Sequence, residues 1–190
     1  TRFESSLIEA ISRPDSDARL TAVLDAAGSL AGFLGDISDA IQQERMRADQ
    51  QISVQVEQLN SGLAQVREFN VRIQETQMRG QDPTTLLDLR QQTIDNLASI
   101  VPMKQYQREN GMVALYSIGG ATLLDGKAAE FSFTPTGTIV PEMTLASGAL
   151  SGLSVNDRPI QTAGNRSPIA GGSLAALFDI RDEHAISAQA

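Results

Sequence analysis

His184 is the only histidine in the 190-residue chain, and it directly follows two acids, Asp182 and Glu183. An imidazole oriented by a carboxylate is the usual general base, so this trio is where acid–base chemistry would be sought first. Its surroundings do not support it. A triad needs a nucleophile held against the histidine, and a metal centre needs further imidazole or thiolate ligands. The chain has no cysteine and no second histidine, so His184 reads as a polar helix residue. Asp36 and Asp39, three apart, imitate a carboxylate pair, but solvent-facing acids on a helix explain them as well. Gly119-Gly120 and Gly171-Gly172 match neither dinucleotide nor P-loop spacing, and no Gly-x-Ser-x-Gly elbow occurs. Arg45 and Arg47 come nearest to a phosphate clamp, yet acids surround them, and the pair reads as a solvated helix face. No catalytic, cofactor or metal residue is expected, and the chain does not read as an enzyme.

Bulk properties narrow the partners. A formal charge of −8 and a pI near 4.6 oppose nucleic-acid binding, which needs cations to displace counterions. Absence of cysteine rules out disulfides, and it fits both the cytosol and proteins exported unfolded. With aromatics at only 4%, the core must be Leu, Ile, Val and Ala, which suits helix seams better than a deep ligand pocket. No unbroken run of about 18 apolar residues is present, so no membrane span is expected. The start at Thr1-Arg2-Phe3-Glu4 and the stop at Ser187-Ala188-Gln189-Ala190 both read as cut ends. The chain is therefore expected to be a fragment.

The elements that would position these residues are helical in the first half. A short helix over about 1–12 stops at Pro14, and Asp15, Ser16 and Asp17 offer caps for a second helix over 17–79. Gly28, Gly32 and Gly35 are candidate break points in it. Ile52, Val56, Leu59, Leu63, Val66, Asn70 and Ile73 alternate spacings of four and three, a heptad seam for packing against other helices. Leu34, Ile37, Ile41, Glu44 and Ala48 keep the same alternation, with a stutter between Ala48 and Ile52. Such a helix would be about 90 Å long, the scale of a rod rather than a small globule. Asn70 in the seam reads as a register-fixing amide, so Asn70→Leu is expected to raise stability while loosening register. Gly80 caps this helix, and Asp82-Pro83 starts an antiparallel one over 83–101 with Leu86, Leu87, Ile94, Leu97 and Val101 inward.

Past Pro102 the period changes to two. Asn110-Gly111, Asp125-Gly126 and Asn156-Asp157 mark turns, so 103–170 reads as a β-rich inserted domain of five to seven short strands. Ser173 begins a return helix over 171–190. The expected division is a helical stalk over 1–102, the insert over 103–170, and the stalk's return. The fold class is α+β: a long antiparallel coiled-coil-like helical stalk with a small all-β inserted domain. Leu86-Leu87-Asp88-Leu89-Arg90 and Leu177-Phe178-Asp179-Ile180-Arg181 are near copies, which makes Asp88, Arg90, Asp179 and Arg181 candidates to bridge helices where stalk meets insert.

Four segments in order carry a family resemblance. They are Ser12-Arg13-Pro14-Asp15-Ser16-Asp17-Ala18-Arg19-Leu20, the repeated hydrophobic-Asn pattern at Leu59-Asn60 and Phe69-Asn70, Leu86-Leu87-Asp88-Leu89-Arg90-Gln91, and the stretch from Gly171 to Glu183. Together they resemble the flagellar hook-associated protein 1 family, which forms the hook–filament junction. The 103–170 block has no part in the resemblance, and Gln91 stands where that family commonly has an acid. The resemblance implies a structural subunit of the bacterial flagellum, located outside the cell and exported without a cleavable signal peptide. The implied partners are other copies of itself, neighbouring hook and filament subunits and an export chaperone, with no nucleic acid and no membrane. The competing readings are another axial or phage-tail-type structural protein, a cytosolic helical adaptor gripping one partner through its seam, and an adhesive β unit, which the sparse aromatics oppose.

Overall fold

The computed structural model describes residues 1–164 and 166–187, the side chains of 183–187 excepted. In chain order the elements are α1 (Arg2–Ser12), α2 (Asp17–Met78), α3 (Thr84–Ile100), β1 (Met103–Gln107), β2 (Val113–Ser117), β3 (Thr122–Asp125), β4 (Lys127–Ala128), β5 (Phe131–Ser132), β6 (Leu153–Val155), β7 (Arg158–Ile160) and α4 (Ser173–Ser187). The architecture is α+β, and the chain divides into two compact units, Thr1–Gln43 and Glu44–Ala190, with α2 contributing to both.

In the first unit a capping box starts α1: the Thr1 hydroxyl accepts from the Glu4 amide while the Glu4 carboxylate returns to the Thr1 backbone. The Arg19 guanidinium reaches back to the Glu9 carbonyl and the Ser12 hydroxyl, tying the start of α2 to the end of α1. α2 passes through Gly28, Gly32 and Gly35 without interruption. Ile8, Ile11, Leu24, Phe33 and Leu34 are all more than half exposed. By length and composition α2 is apolar enough to cross a membrane, with an 18-residue window of mean hydropathy 1.3, none of it buried. The sequence reading counted unbroken apolar runs, which Asp25 and Asp36 interrupt, and so missed an average carried by Ala and Leu.

In the second unit the seam finds its partners inside the same chain. A Cβ on Gly62 would fall 2.5 Å from Leu97 Cδ2, and Asn70 accepts a hydrogen bond from Arg90. Numbers that rise on α2 fall on α3, so the two helices are antiparallel. Ser173 bonds Gln55 and Arg181 pairs with Asp49, which makes α4 antiparallel to α2 as well. α3 and α4 therefore follow one another along α2. Their junction is tight, because a Cβ on Gly172 would meet the Ile100 carbonyl oxygen at 2.1 Å. Only glycine lets the chain re-enter there.

The strands lie between these two helices in sequence and share their core. Ile52, Val56, Leu59, Leu63 and Val66 pack in one cluster with Leu97, Leu115, Leu124, Phe131, Leu153 and Phe178. One antiparallel sheet has the order β1-β2-β3-β4 and the other β5-β6-β7. Asn110 and Gly111, both at positive φ, turn β1 into β2. Asn156 and Asp157, also at positive φ, form the two-residue loop between Val155 and Arg158. Pro159 is tolerated because β7 is an edge strand.

Candidate functional site

Three buried arginines hold the second unit together, Arg45 and Arg181 at one end of the segment where strands meet α2 and Arg90 at the other. Arg181 on α4 is fully buried. Its Nη1 lies 3.0 Å from Asp49 Oδ1 on α2, and its Nε and Nη2 fork onto the Asp182 carboxylate at 2.7 and 3.2 Å. The guanidinium carbon stands 4.8 Å from the Phe178 ring centre and 5.4 Å from that of Phe133. Arg45, one turn before Asp49, is buried too. It donates to the carbonyls of Arg181 at 2.8 Å, Val140 at 3.2 Å and Met143 at 2.6 Å. The second Asp49 oxygen accepts from the Thr136 amide. One polar cluster thus gathers α2, α4 and the chain between β5 and β6. Burial lowers the Arg45 pKa most, with Asp182 opposing and Arg181 reinforcing. A solvated helix face is the wrong description of Arg45, since local acids say nothing of the carbonyls that converge on it from Val140, Met143 and Arg181. Arg47 does stay on the surface, paired with Glu44.

At the other end, Asn70 presents its amide to β2 as a neighbouring strand would. Nδ2 donates to the Val113 carbonyl at 2.8 Å, and Oδ1 accepts from the Val113 amide at 3.1 Å. Arg90 Nη1 then bridges Asn70 Oδ1 at 2.9 Å and the Gly111 carbonyl at 2.7 Å. Burial also lowers the Arg90 pKa. Asn60 repeats the device on Phe131, donating to its carbonyl at 2.7 Å and accepting from its amide at 2.8 Å. Asn70 is therefore a strand dock rather than a register lock between helices, and the expected gain from Asn70→Leu reverses sign. Sequence reasoning passed over Asn60 and Asp49. The signal for Asn60 was present in the apolar-Asn repeat ten residues apart; nothing local marked Asp49.

Ile52, Val56, Leu59, Leu63, Val66, Asn70 and Ile73 are all buried. Of the four bridging candidates, Arg90 and Arg181 reach other elements, whereas Asp88 and Asp179 are exposed. Residues two apart are about 200° apart around a helix, so burying the arginine turns its aspartate outward. Arg90 and Arg181 serve separate junctions and are not brought together. Asp36 and Asp39 are exposed, and the side chains of Glu183 and His184 lie outside the described residues. Among the described residues no group of three acids or histidines could hold a metal, and no buried side-chain nitrogen or oxygen lacks a hydrogen bond. The buried charges are spent on protein atoms. Chemically, this arrangement clamps segments together.

Comparison with known proteins is consistent with that reading. The model for the flagellar hook-associated protein FlgK helical domain matches residues 1–190. Flagellar hook-associated protein 1 of Bacillus subtilis (strain 168) is 25% identical over 173 residues, covering 84% of this chain and 33% of that protein. The solved flagellar hook junction protein FlgK of Burkholderia pseudomallei superimposes with a TM-score of 0.74 at 17% identity, over 94% of this chain and 31% of that one. The chain thus spans about one third of the length of the curated relative it matches.

Proposed function

Because this chain belongs to the flagellar hook-associated protein FlgK family, we propose that it is the helical-domain portion of a structural subunit joining the flagellar hook to its filament. The observation that carries this is the family match over all of residues 1–190. The clamped architecture supports it: a subunit that transmits torque gains from strands bonded directly to the long helix at Asn60 and Asn70, and from the β5–β6 connection bonded to it at Asp49. On this reading 1–102 and 171–190 belong to a stalk and 103–170 is the insert; Arg90 ties the stalk to the insert at Gly111, and Arg181 ties α4 to α2 beside it. The chain performs no catalysis. It works outside the cell, in the flagellum, after export without a cleavable signal peptide and with a chaperone's help. Its neighbours are further copies of itself and hook and filament subunits. The exposed apolar residues of the first unit, Ile8, Ile11, Leu24 and Phe33 among them, are surface that such neighbours would cover. A cytosolic adaptor would need its seam open for a partner, and this chain covers the seam with its own α3, α4 and strands. Deleting the gene tests the proposal. Cells should then shed filament protein into the medium as monomer and stop swimming, and the full-length gene should restore both. Filaments that remain attached in the deletion strain would refute it.

A further inference from the structure

Both lysines and both tyrosines of the chain fall on the four-stranded sheet. Register places them on its solvent face. Lys104 pairs across from Tyr116, and Tyr106 is the next outward residue on β1. Asp125, whose carboxylate accepts from the Tyr116 hydroxyl at 2.7 Å, pairs across from Lys127 on β4. The face is held rigid. Arg108 Nη2 donates to Tyr116 Oη at 3.0 Å and to Asp125 Oδ2 at 2.8 Å, while the two tyrosine rings meet edge to face at 5.6 Å. Lys104, Tyr106, Tyr116 and Ile118 line a groove of about 460 Å³, with Ile118 63% exposed. Lysines on the edge strands β1 and β4 also discourage stray strand pairing. That role accounts for neither the preset tyrosine pair nor an exposed isoleucine beside it. Fixed tyrosines and a fixed arginine beside exposed apolar surface are the composition of a protein contact, and the lysines at its edges give that contact a charge preference.

We propose that this face docks onto helix α3 of a second copy of the chain, an inference that rests on the structural role proposed above. Charge complementarity selects the occupant. On α3 the one cation, Arg90, is buried, while Asp88 and Asp95, seven residues apart on one side, are exposed, with Asp82 just ahead. Leu89 lies beside Asp88 and is 44% exposed, an apolar counterpart for Tyr106 and Ile118. Seven helical residues span about 10 Å. The two lysines stand three strand spacings apart, about 14 Å across the sheet, within reach of that pair for flexible side chains. A sheet face on one copy and a helix on the next make a head-to-tail contact, which closes into rings or extends into a helical array.

The test uses full-length protein in flagellated cells. Lys104→Cys and Asp95→Cys are introduced together, and mild oxidation should give disulfide-linked multimers that neither single substitution gives. Lys104→Glu with Lys127→Glu should reduce filament attachment at least tenfold, and adding Asp88→Lys with Asp95→Lys should restore it. Restoration by a charge swap also excludes misfolding as the cause of the loss. Attached filaments without the cross-link, a charge reversal with no effect, or a cross-link from position 104 to a different axial protein would each overturn the docking inference. None of these touches the proposed hook–filament role, which fails separately if the gene deletion leaves filaments attached.

Discussion

Replacing Asp49 by alanine is the sharpest probe of how the helical and strand layers are joined. The substitution leaves Arg181 and Arg45, both fully buried, with Asp182 as the remaining carboxylate beside them. Removing one partner of a buried ion pair costs about 3–5 kcal/mol, because the surviving charge stays desolvated. Losing the acceptor for the Thr136 amide adds about 1 kcal/mol. Two features offset this. The Asp182 fork survives at 2.7 and 3.2 Å, and the Phe133 and Phe178 rings remain 5.4 and 4.8 Å from the guanidinium. The net expectation is a loss of about 3 kcal/mol, a large share of the ~5–15 kcal/mol that stabilises a typical domain. Urea unfolding of the chain, followed by circular dichroism and tyrosine fluorescence, should show the midpoint falling by roughly 1 M for a slope of 2–3 kcal/mol/M. The double variant Asp49→Ala, Arg181→Met should lose less than the two single variants summed, by at least about 1.5 kcal/mol. A loss below about 1 kcal/mol, or additive single losses, would refute the claim that this ion pair rivets α4 to α2.

Asn70→Leu should destabilise by about 2–4 kcal/mol, since it strands the Val113 amide and carbonyl and one Arg90 bond in a buried setting; a gain in melting temperature would restore the helix-register reading. Gly172→Ala should cost more than about 2 kcal/mol by urea midpoint, because its Cβ meets backbone atoms of Ile100 that cannot swing aside; a neutral result would mean that the α3–α4 junction is looser than described. Arg108, and then Tyr116, hold the Asp125 carboxyl below its ordinary 3.8, so this contribution is whole above 3.8 and fades as pH falls through the lower folded value. Asp125 raises Tyr116 above 10.0, so that contribution is whole below 10.0 and is lost as pH climbs through the higher folded value. In a Tyr106→Phe background, alkaline absorbance titration should place the Tyr116 midpoint above 10.0, and Asp125→Asn should bring it down.

What the chain's order of residues declared was periodic. A seam at spacings of four and three, turn pairs with an asparagine or glycine able to take positive φ, and a switch of period after Pro102 are local signals. Each reflects one element's need to bury a stripe or reverse direction, and so α2, α3 and the hairpins at Asn110-Gly111 and Asn156-Asp157 could be read directly. A single histidine without any cysteine was legible in the same way, as a composition that does not supply the usual catalytic or metal-binding constellations. The near-copy motifs also pointed at Arg90 and Arg181, though the outward turn of Asp88 and Asp179 follows only once the buried side of each helix is known. Partnership was not periodic. Whether the seam faces another chain or its own strands depends on groups more than 40 residues apart in sequence, such as Asn70 with Val113 and Arg45 with Val140. Those pairings are set by which carbonyls and amides are left unpaired where layers meet, and no window of sequence records that. Burial of Arg45, the docking roles of Asn60 and Asp49, and the collinear placement of α3 and α4 along α2 were therefore decided by tertiary packing alone.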